Sequence, residues 1–356
     1  MRHQCISTPF ISSFALLCGS LLAATSPLAA QQYIPPRCEI IPQANHEVSL
    51  RIDGVEKLRW NHDSRYPRPF LFPLNGPRGE PLTRMGHPGA PDHEHHRSVW
   101  FAHHKVNGLT FWSDNTQTRI RQTQWYRYRD GDDEAIMAVA LSWEDADGVQ
   151  LMQQDVVISL FPLDDPETAI DEHAVEFYLT FRPGQGRENV TLEKTNFGVL
   201  AVRVAKSISA YFGDGRLTND VGTQDEKNLH EKPARWMDYS GPVALPPIAS
   251  GAGRDRQVIQ EGITFFDHPG NPSYPTHWHV RQDGWMGAAP TMQFDIVITN
   301  EKPLTLRYLL HAHHGTMDLQ RAEQLHEQFA SRPGFRIRKP VAGESHRHFE
   351  VERLEK

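Results

Sequence analysis

Alternating apolar and polar positions run through most of the chain and predict β-strands. Residues 46–61, HEVSLRIDGVEKLRWN, alternate on both sides of Asp53-Gly54, a dipeptide favoured in tight hairpin turns. Residues 134–162, EAIMAVALSWEDADGVQLMQQDVVISLFP, repeat this pattern around Asp147-Gly148. We therefore expect two antiparallel hairpins here, and similar strand patterns continue to residue 315.

One segment has helical periodicity instead. Residues 318–332, DLQRAEQLHEQFASR, begin with the capping residue Asp318 and are followed by Pro333-Gly334. Many strands, one helix and no alternation of strands with helices predict an all-β fold. We expect residues 46–356 to form a single domain, a large antiparallel β-sandwich with one C-terminal helix, after an irregular lead-in over residues 31–45.

The first 30 residues differ from the rest in composition. Arg2 and His3 precede the run FISSFALLCGSLLAA, which is apolar and rich in small residues. This layout is typical of a secretory signal peptide, with cleavage expected after Ala30. We therefore expect an exported protein, periplasmic or extracellular. Beyond this segment no run of about 20 apolar residues predicts a membrane span.

Charge and motifs exclude several classes of function. The formal net charge is −7, and basic and acidic residues are mixed along the chain, so no nucleic-acid partner is expected. The sequence lacks the H-E-x-x-H motif of zinc proteases and the G-x-S-x-G motif of α/β-hydrolases. It also lacks the glycine-rich motifs of ATP and NAD sites. The oligomeric state is left open.

Histidine is enriched, with 20 residues, and concentrates in three clusters at 92–108, 267–281 and 309–315. Each cluster contains a His-x-His pair, and side chains two apart on a strand point to the same face. We expect the first two clusters to form the walls of a binding groove. The third, which lacks carboxylates, is expected to be structural. The three pairs are His93/His95, His277/His279 and His311/His313.

The grouped imidazoles allow two kinds of chemistry. In the first, one of His93, His95 or His279 acts as a general base, a second histidine acts as an acid, and Asp92 orients one of them. Arg97 and Arg281 then stabilise developing negative charge.

In the second, the same three histidines bind a divalent metal such as Zn, Cu or Fe together with Asp92 or Glu94. The chain is then a metal-dependent oxygenase or hydrolase.

The polar clusters lie among tryptophans, and indole faces are common platforms for sugar rings. We therefore expect a carbohydrate or polyol ligand, handled by an epimerase, a lyase or a glycoside hydrolase. A non-catalytic carbohydrate-binding protein is a further alternative. The expected substrate-binding residues, in addition to the catalytic candidates, are His96, His103, Asn107, Trp112, Asn271, His277 and Arg281.

Residues 92–112, DHEHHRSVWFAHHKVNGLTFW, resemble the signature DHPHHRG-WFAHG-VNG-DFW of an exported bacterial family labelled methane oxygenase PmoA. ARWMDYSG and FDHPGNPSYPTHWHVR resemble two further blocks of that family, in the same order. The chain departs from the signature at Glu94, Ser98 and His104, where Pro, Gly and Gly are usual. The resemblance covers residues 46–335 and implies a protein of a family whose members often accompany sugar-degrading enzymes.

The strand series also resembles the galactose-mutarotase supersandwich. This resemblance implies a concave sheet that presents histidines and a carboxylate to a sugar.

Overall fold

A computed structural model describes residue 1 and residues 33–164, 171–247, 256–340 and 348–355. Apart from Met1, the predicted signal peptide lies outside the described residues. From Pro36 onward the described chain forms one compact unit. None of the helices in the described ranges is long and apolar enough to cross a membrane.

Antiparallel strands form most of this unit. The strands of its first half are β1 (Cys38–Gln43), β2 (Glu47–Ile52), β3 (Val55–Asn61), β4 (Phe70–Leu74), β5 (Val99–His103), β6 (Arg119–Arg129), β7 (Ala135–Glu144), β8 (Gln150–Asp164), β9 (Asp171–Pro183) and β10 (Asn189–Leu192). The later strands are β11 (Gly198–Arg203), β12 (Arg216–Asn219), β13 (Trp236–Ala244), β14 (Val258–Asp267), β15 (His277–Arg281), β16 (Trp285–Ala289), β17 (Ile296–Thr299), β18 (Leu304–His314), β19 (Phe335–Arg338) and β20 (Glu350–Arg353). Helices α1 (Glu226–Leu229) and α2 (Leu319–Ser331) complete the elements, with a 3-10 turn at Pro91–His93.

Two sheets of eight strands each make the sandwich. The first has the order β1-β2-β3-β4-β5-β11-β16-β15, and the second has the order β12-β13-β14-β18-β9-β8-β7-β6. Their inner faces meet in one apolar core, where the ring of Phe101 on β5 lies 6.2 Å from that of Phe177 on β9. The predicted all-β sandwich is therefore confirmed.

The predicted hairpins and helix are also observed. β2 and β3 pair around Asp53-Gly54, where both residues have positive φ, and β7 and β8 pair around Asp147-Gly148. Helix α2 begins after Asp318, whose carboxylate accepts a hydrogen bond from Arg321 N at 2.8 Å. Its apolar face packs on the outer face of the second sheet.

One expectation was wrong in part. The lead-in expected to be irregular over residues 31–45 contains strand β1, which pairs along its whole length with β2. Its inward residues Cys38 and Ile40 are buried in the core, and this burial holds the short segment in the sheet.

Candidate functional site

The outer face of the first sheet carries a group of polar and aromatic side chains. Successive residues of a strand point to opposite faces, and the inward residues of β5, β11, β16 and β15 belong to the sandwich core. The outward residues form cross-strand rows because the four strands are neighbours in register. One row is Trp100, Ala201, Gly287 and His279, and the next contains Arg203, Trp285 and Arg281.

Small residues in the middle of the first row leave room above the sheet. The indole of Trp285 extends over Gly287, where an added Cβ would lie 3.0 Å from Trp285 Nε1. The same indole stacks on the imidazole of His279, with ring centroids 4.0 Å apart. Gly287 therefore allows an aromatic ring to lie flat along the floor of the site.

The segment before β5 forms one wall. Pro91 starts the 3-10 turn, a position where its missing N–H and preset φ are favourable. His93 Nδ1 donates to Asp92 Oδ1 at 2.9 Å, and His95 Nδ1 donates to the Asp92 carbonyl at 3.2 Å. His93 and His95 thus share a tight turn and not a strand, so the strand geometry predicted for this pair was wrong. Their rings still lie 5.5 Å apart because the turn brings both to one side.

Ser98, the residue that links this wall to β5, has a φ of 54°. This left-handed conformation favours glycine, the residue usual at this position of the signature described above. The hydroxyl of Ser98 donates to Thr83 Oγ1 at 2.7 Å, an interaction that glycine would lack.

His96 lies behind the wall, and its ring packs against two indoles. Its ring centroid is 5.3 Å from that of Trp100 and 5.1 Å from that of Trp285. Its Nδ1 accepts a hydrogen bond from Arg203 Nη2, and Arg203 is itself bound to Asp283 Oδ1 at 2.7 Å. These contacts hold the imidazole in one orientation.

Together these groups enclose a cavity of about 580 Å³, a volume in the range of small-molecule sites. The lining residues are His93, His95, His96, His104, Trp112, Ser113, Asn196, Phe197, Arg203, His230, His279, Arg281, Asp283 and Trp285. Six residues predicted from the sequence line this cavity: His93, His95, His96, Trp112, His279 and Arg281.

Burial keeps several of these imidazoles neutral. It lowers the pKa of His95 to about 4, with a further contribution from the charge of Arg68. It also lowers the pKa of His279 to about 3, with help from His230. Asp92 is exposed, and its hydrogen bond with His93 holds the pKa of this carboxyl below its usual value. At neutral pH, therefore, His95 and His279 act as neutral hydrogen-bonding groups.

Two predicted residues next to the cavity are bound elsewhere. Arg97 pairs with the carboxylate of Asp114, so its charge is already compensated. His103 points into the protein and is fully buried, and its Nε2 lies 2.9 Å from Thr291 Oγ1. Neither lines the cavity: His103 lies on the core side of β5, and the guanidinium of Arg97 lies over the ring of Tyr66, 5.1 Å from its centroid.

Three further predicted residues also lie outside the cavity lining. Asn107 sits in a turn, where its side-chain carbonyl accepts from Thr191 N at 2.8 Å. Asn271 is buried, and its amide donates to Asp267 Oδ1 at 2.6 Å. His277 is half-buried at the start of β15. The two asparagines use their polar groups to hold loops, which is a common role for this residue type in turns.

The third histidine cluster lies in the other sheet. On β18, His311 Nε2 lies 2.8 Å from Glu172 Oε2, and His313 Nε2 lies 2.8 Å from Asp238 Oδ2. All four side chains are buried, and no cavity residue is among them. Strands β9 and β13 of the same sheet supply the carboxylates that the cluster lacks in its own sequence.

Sequence reasoning did not assign eight residues of the cavity to the site: His104, Ser113, Asn196, Phe197, Arg203, His230, Asp283 and Trp285. Arg203 had one usable signal, because it is the single charged residue in the apolar strand sequence GVLAVR. A buried charge in such a strand requires a partner, and this points to a polar site. The partner itself, Asp283, is 80 residues away in the sequence and could not be paired from it.

The geometry gives no support for a joint metal site. Within the described ranges, no group of three or more His, Cys, Asp or Glu side chains is arranged to hold a metal ion. The candidate ligands His93, His95 and His279 line one cavity, but they do not form such a group; each places Nδ1 against a protein oxygen.

Fold and site define a β-sandwich protein with an imidazole-rich cavity on the outer face of one sheet. The chain belongs to DUF6807, a family of unknown function, whose model matches residues 47–327. The matched range includes every residue that lines the cavity and ends before β19. No curated protein matches the chain in a sequence search.

Proposed function

We propose that this protein is an exported enzyme that acts on a carbohydrate or polyol by histidine-based proton transfer. The observation that carries the proposal is the hydrogen-bonding state of the imidazoles in the cavity. His93, His95, His230 and His279 each place Nδ1 against a protein oxygen, with N···O distances of 2.9, 3.2, 3.0 and 3.2 Å.

These oxygens decide which nitrogen of each ring carries the proton. Carbonyl and carboxylate oxygens only accept, so each Nδ1 must carry the hydrogen. In a neutral ring Nε2 is then an acceptor. Four acceptors in one cavity suit a ligand that carries several hydroxyl donors, as sugars and polyols do.

The aromatic residues add a surface for the ligand's C–H groups. Trp285 lies 5.3 Å from Trp112 and 5.9 Å from Phe197, measured between ring centroids. Such faces pack against the apolar side of a sugar ring while its hydroxyls reach polar partners. The resemblances to a family that accompanies sugar-degrading enzymes and to the mutarotase supersandwich support the same substrate class.

His93 is the best-placed base. It lines the cavity, it is half-exposed, and Asp92 holds its Nδ1–H, which leaves Nε2 to take a proton from the ligand. The carboxylate also stabilises the imidazolium that forms. His95 and His279 remain neutral over the physiological range and position hydroxyls.

Among the three reaction types considered, glycoside hydrolysis is the least well supported. That reaction generally uses two carboxyl groups on either side of the bond to be cleaved. Of the described residues that line the cavity, Asp283 alone has a carboxylate, and this group is paired with Arg203.

The experiment is a screen for binding and turnover with the mature chain, residues 31–356. Sugars and polyols are followed by 1H NMR, with His93→Gln, Asp92→Asn and the exposed control His348→Gln in parallel. We expect His93→Gln to lower turnover by about 10²–10⁴-fold, the range for loss of a general base, while binding is largely kept. His348→Gln should match the wild type. A protein that binds no sugar or polyol, or whose turnover survives His93→Gln, contradicts the proposal.

A further inference from the structure

His96 differs from the other four imidazoles described above in the kind of group that its Nδ1 contacts. Its Nδ1 faces the guanidinium of Arg203, whereas theirs face oxygens. A guanidinium has five N–H donors and no acceptor, and it stays charged in proteins. Nδ1 of His96 must therefore offer its lone pair, so the ring proton is on Nε2.

Charge and packing make this tautomer permanent. Burial and the neighbouring charge of Arg203 hold the pKa of His96 far below its usual value, so the ring does not take up a second proton. Arg203 has no exposed side-chain surface, and Asp283 fixes it through an ion pair of 2.7 Å. Contacts with the rings of Trp100 and Trp285 restrict rotation of the imidazole.

Among the described residues, the Nε2–H of His96 has no partner. Nε2 is buried and makes no hydrogen bond there, and the same holds for the indole Nε1 of Trp285 on β16. Both groups can only donate. An unmatched buried donor is unfavourable, and a ligand oxygen would satisfy it.

We propose that His96 is the oxyanion donor of this site, and that the substrate is a sugar derivative whose carbonyl or carboxyl oxygen binds to Nε2–H. The inference rests on the proposed function and narrows its substrate class. A neutral imidazole in this role polarises a carbonyl without giving up its proton. His96 lines the cavity together with His95 and His93, whose ring centroids lie 4.1 and 5.2 Å from that of His96.

The position of His93 assigns the reaction class: removal of a proton from the carbon next to the carbonyl. The C–H bond breaks, its proton moves to Nε2 of His93, and its electron pair forms the C=C bond of an enolate. The negative charge on the enolate oxygen is held by His96. Return of a proton to the same carbon restores the carbonyl, so no oxidant or reductant is consumed. The ring centroids of His93 and His96 lie 5.2 Å apart, a distance that a carbonyl and its neighbouring carbon can bridge.

The tautomer is tested first, on the wild-type chain with 15N-labelled histidine. Long-range 1H–15N NMR spectra between pH 5 and 8 should contain a small set of histidines that keep their proton on Nε2 and do not titrate. His103 and His268 belong to this set with His96, because their Nδ1 atoms accept from backbone N–H groups and burial lowers the pKa of both rings. The His96 signal is assigned by its loss in His96→Gln. A His96 signal that carries its proton on Nδ1, or that becomes protonated in this range, overturns the inference.

The substrate class is tested by hydrogen exchange in D2O. Ketoses, aldoses and uronic acids are compared with methyl glycosides and alditols, which lack a carbonyl, and loss of C–H signals is followed by 1H NMR. We expect exchange only in the carbonyl-bearing group. His96→Gln should lower its kcat by about 10²–10³-fold with a smaller change in KM, as for loss of an oxyanion donor. His348→Gln is the control.

The outcomes separate the two proposals. If methyl glycosides and alditols are turned over as readily as carbonyl-bearing sugars, the role of His96 is refuted while the proposed function stands. If the tautomer is as expected but no sugar of either group binds or exchanges, both the proposed function and the substrate class fail.

Discussion

Glu261 allows a quantitative test of how the sandwich tolerates a buried carboxyl group. It lies in β14 with no exposed surface, and its Oε1 accepts from Arg78 N at 3.0 Å. Its Oε2 has no hydrogen-bond partner among the described residues, and Gly76 lies so close that an added Cβ would be 2.1 Å from this oxygen. Burial therefore raises the pKa of Glu261 to about 7.

The shift predicts a loss of stability as the pH rises. Above the unfolded-state pKa the unfolded chain releases this proton, but the folded chain keeps it until about pH 7. A rise from 4.5 to about 7, at about 1.4 kcal/mol per pKa unit, corresponds to about 3 kcal/mol. The stabilisation from the protonated group is thus complete below pH 4.5 and lost by about pH 8.

Glu261→Gln keeps the shape of the side chain and cannot ionise. We expect the variant to gain up to about 3 kcal/mol over the wild type at pH 8, and to differ little from it near pH 4.5. The free energy of unfolding is measured by urea titration with tryptophan fluorescence from pH 4.5 to 8. Glu327→Gln, at an exposed position of α2, is the matched control. If the curves of the wild type and Glu261→Gln stay parallel, the carboxyl is not buried as described.

Two further outcomes are expected. Gly287→Ala places a Cβ 3.0 Å from Trp285 Nε1, so the indole must move. We expect sugar affinity, measured by calorimetry, to fall about 10-fold, which is about 1.4 kcal/mol. Unchanged affinity would contradict the flat floor of the site. Burial favours the neutral ring of His313, but the buried carboxylate of Asp238 outweighs it and raises the pKa of His313. The stabilisation from the charged ring is present below the unfolded-state pKa and is lost as the pH rises through the folded-state pKa. His313→Gln should therefore cost more stability in urea titrations at pH 5.5 than at pH 8.

The strands, their turns and the C-terminal helix could be predicted because their signals are local. Alternation over a few residues decides which side of a strand is buried, and Asp53-Gly54 and Asp147-Gly148 place the turns by their own backbone preferences. β1 was missed because a short edge strand with two prolines nearby has little local signal. Its structure comes from pairing with β2, which is a tertiary contact.

The site was predictable only in part. The sequence indicated that histidines and tryptophans gather around residues 92–112 and 267–281, and six of the predicted side chains line the cavity. It could not indicate which polar residues are already bound by the protein. Asn271 and His103 carry groups that could bind a ligand, but both side chains are buried and their polar atoms are hydrogen-bonded within the protein.

By itself the sequence determined which chemical groups this protein has, and it determined that they are carried on an antiparallel sandwich. Only the tertiary structure decided which groups meet and in which state. β5, β11, β16 and β15 are neighbours although the first and last are about 175 residues apart in the chain, and their register sets the row from Trp100 to His279. The tautomer of His96 follows from Arg203, which is 107 positions away. The proton position on an imidazole depends on the atom beside it, and for a buried ring that atom is chosen by strand pairing.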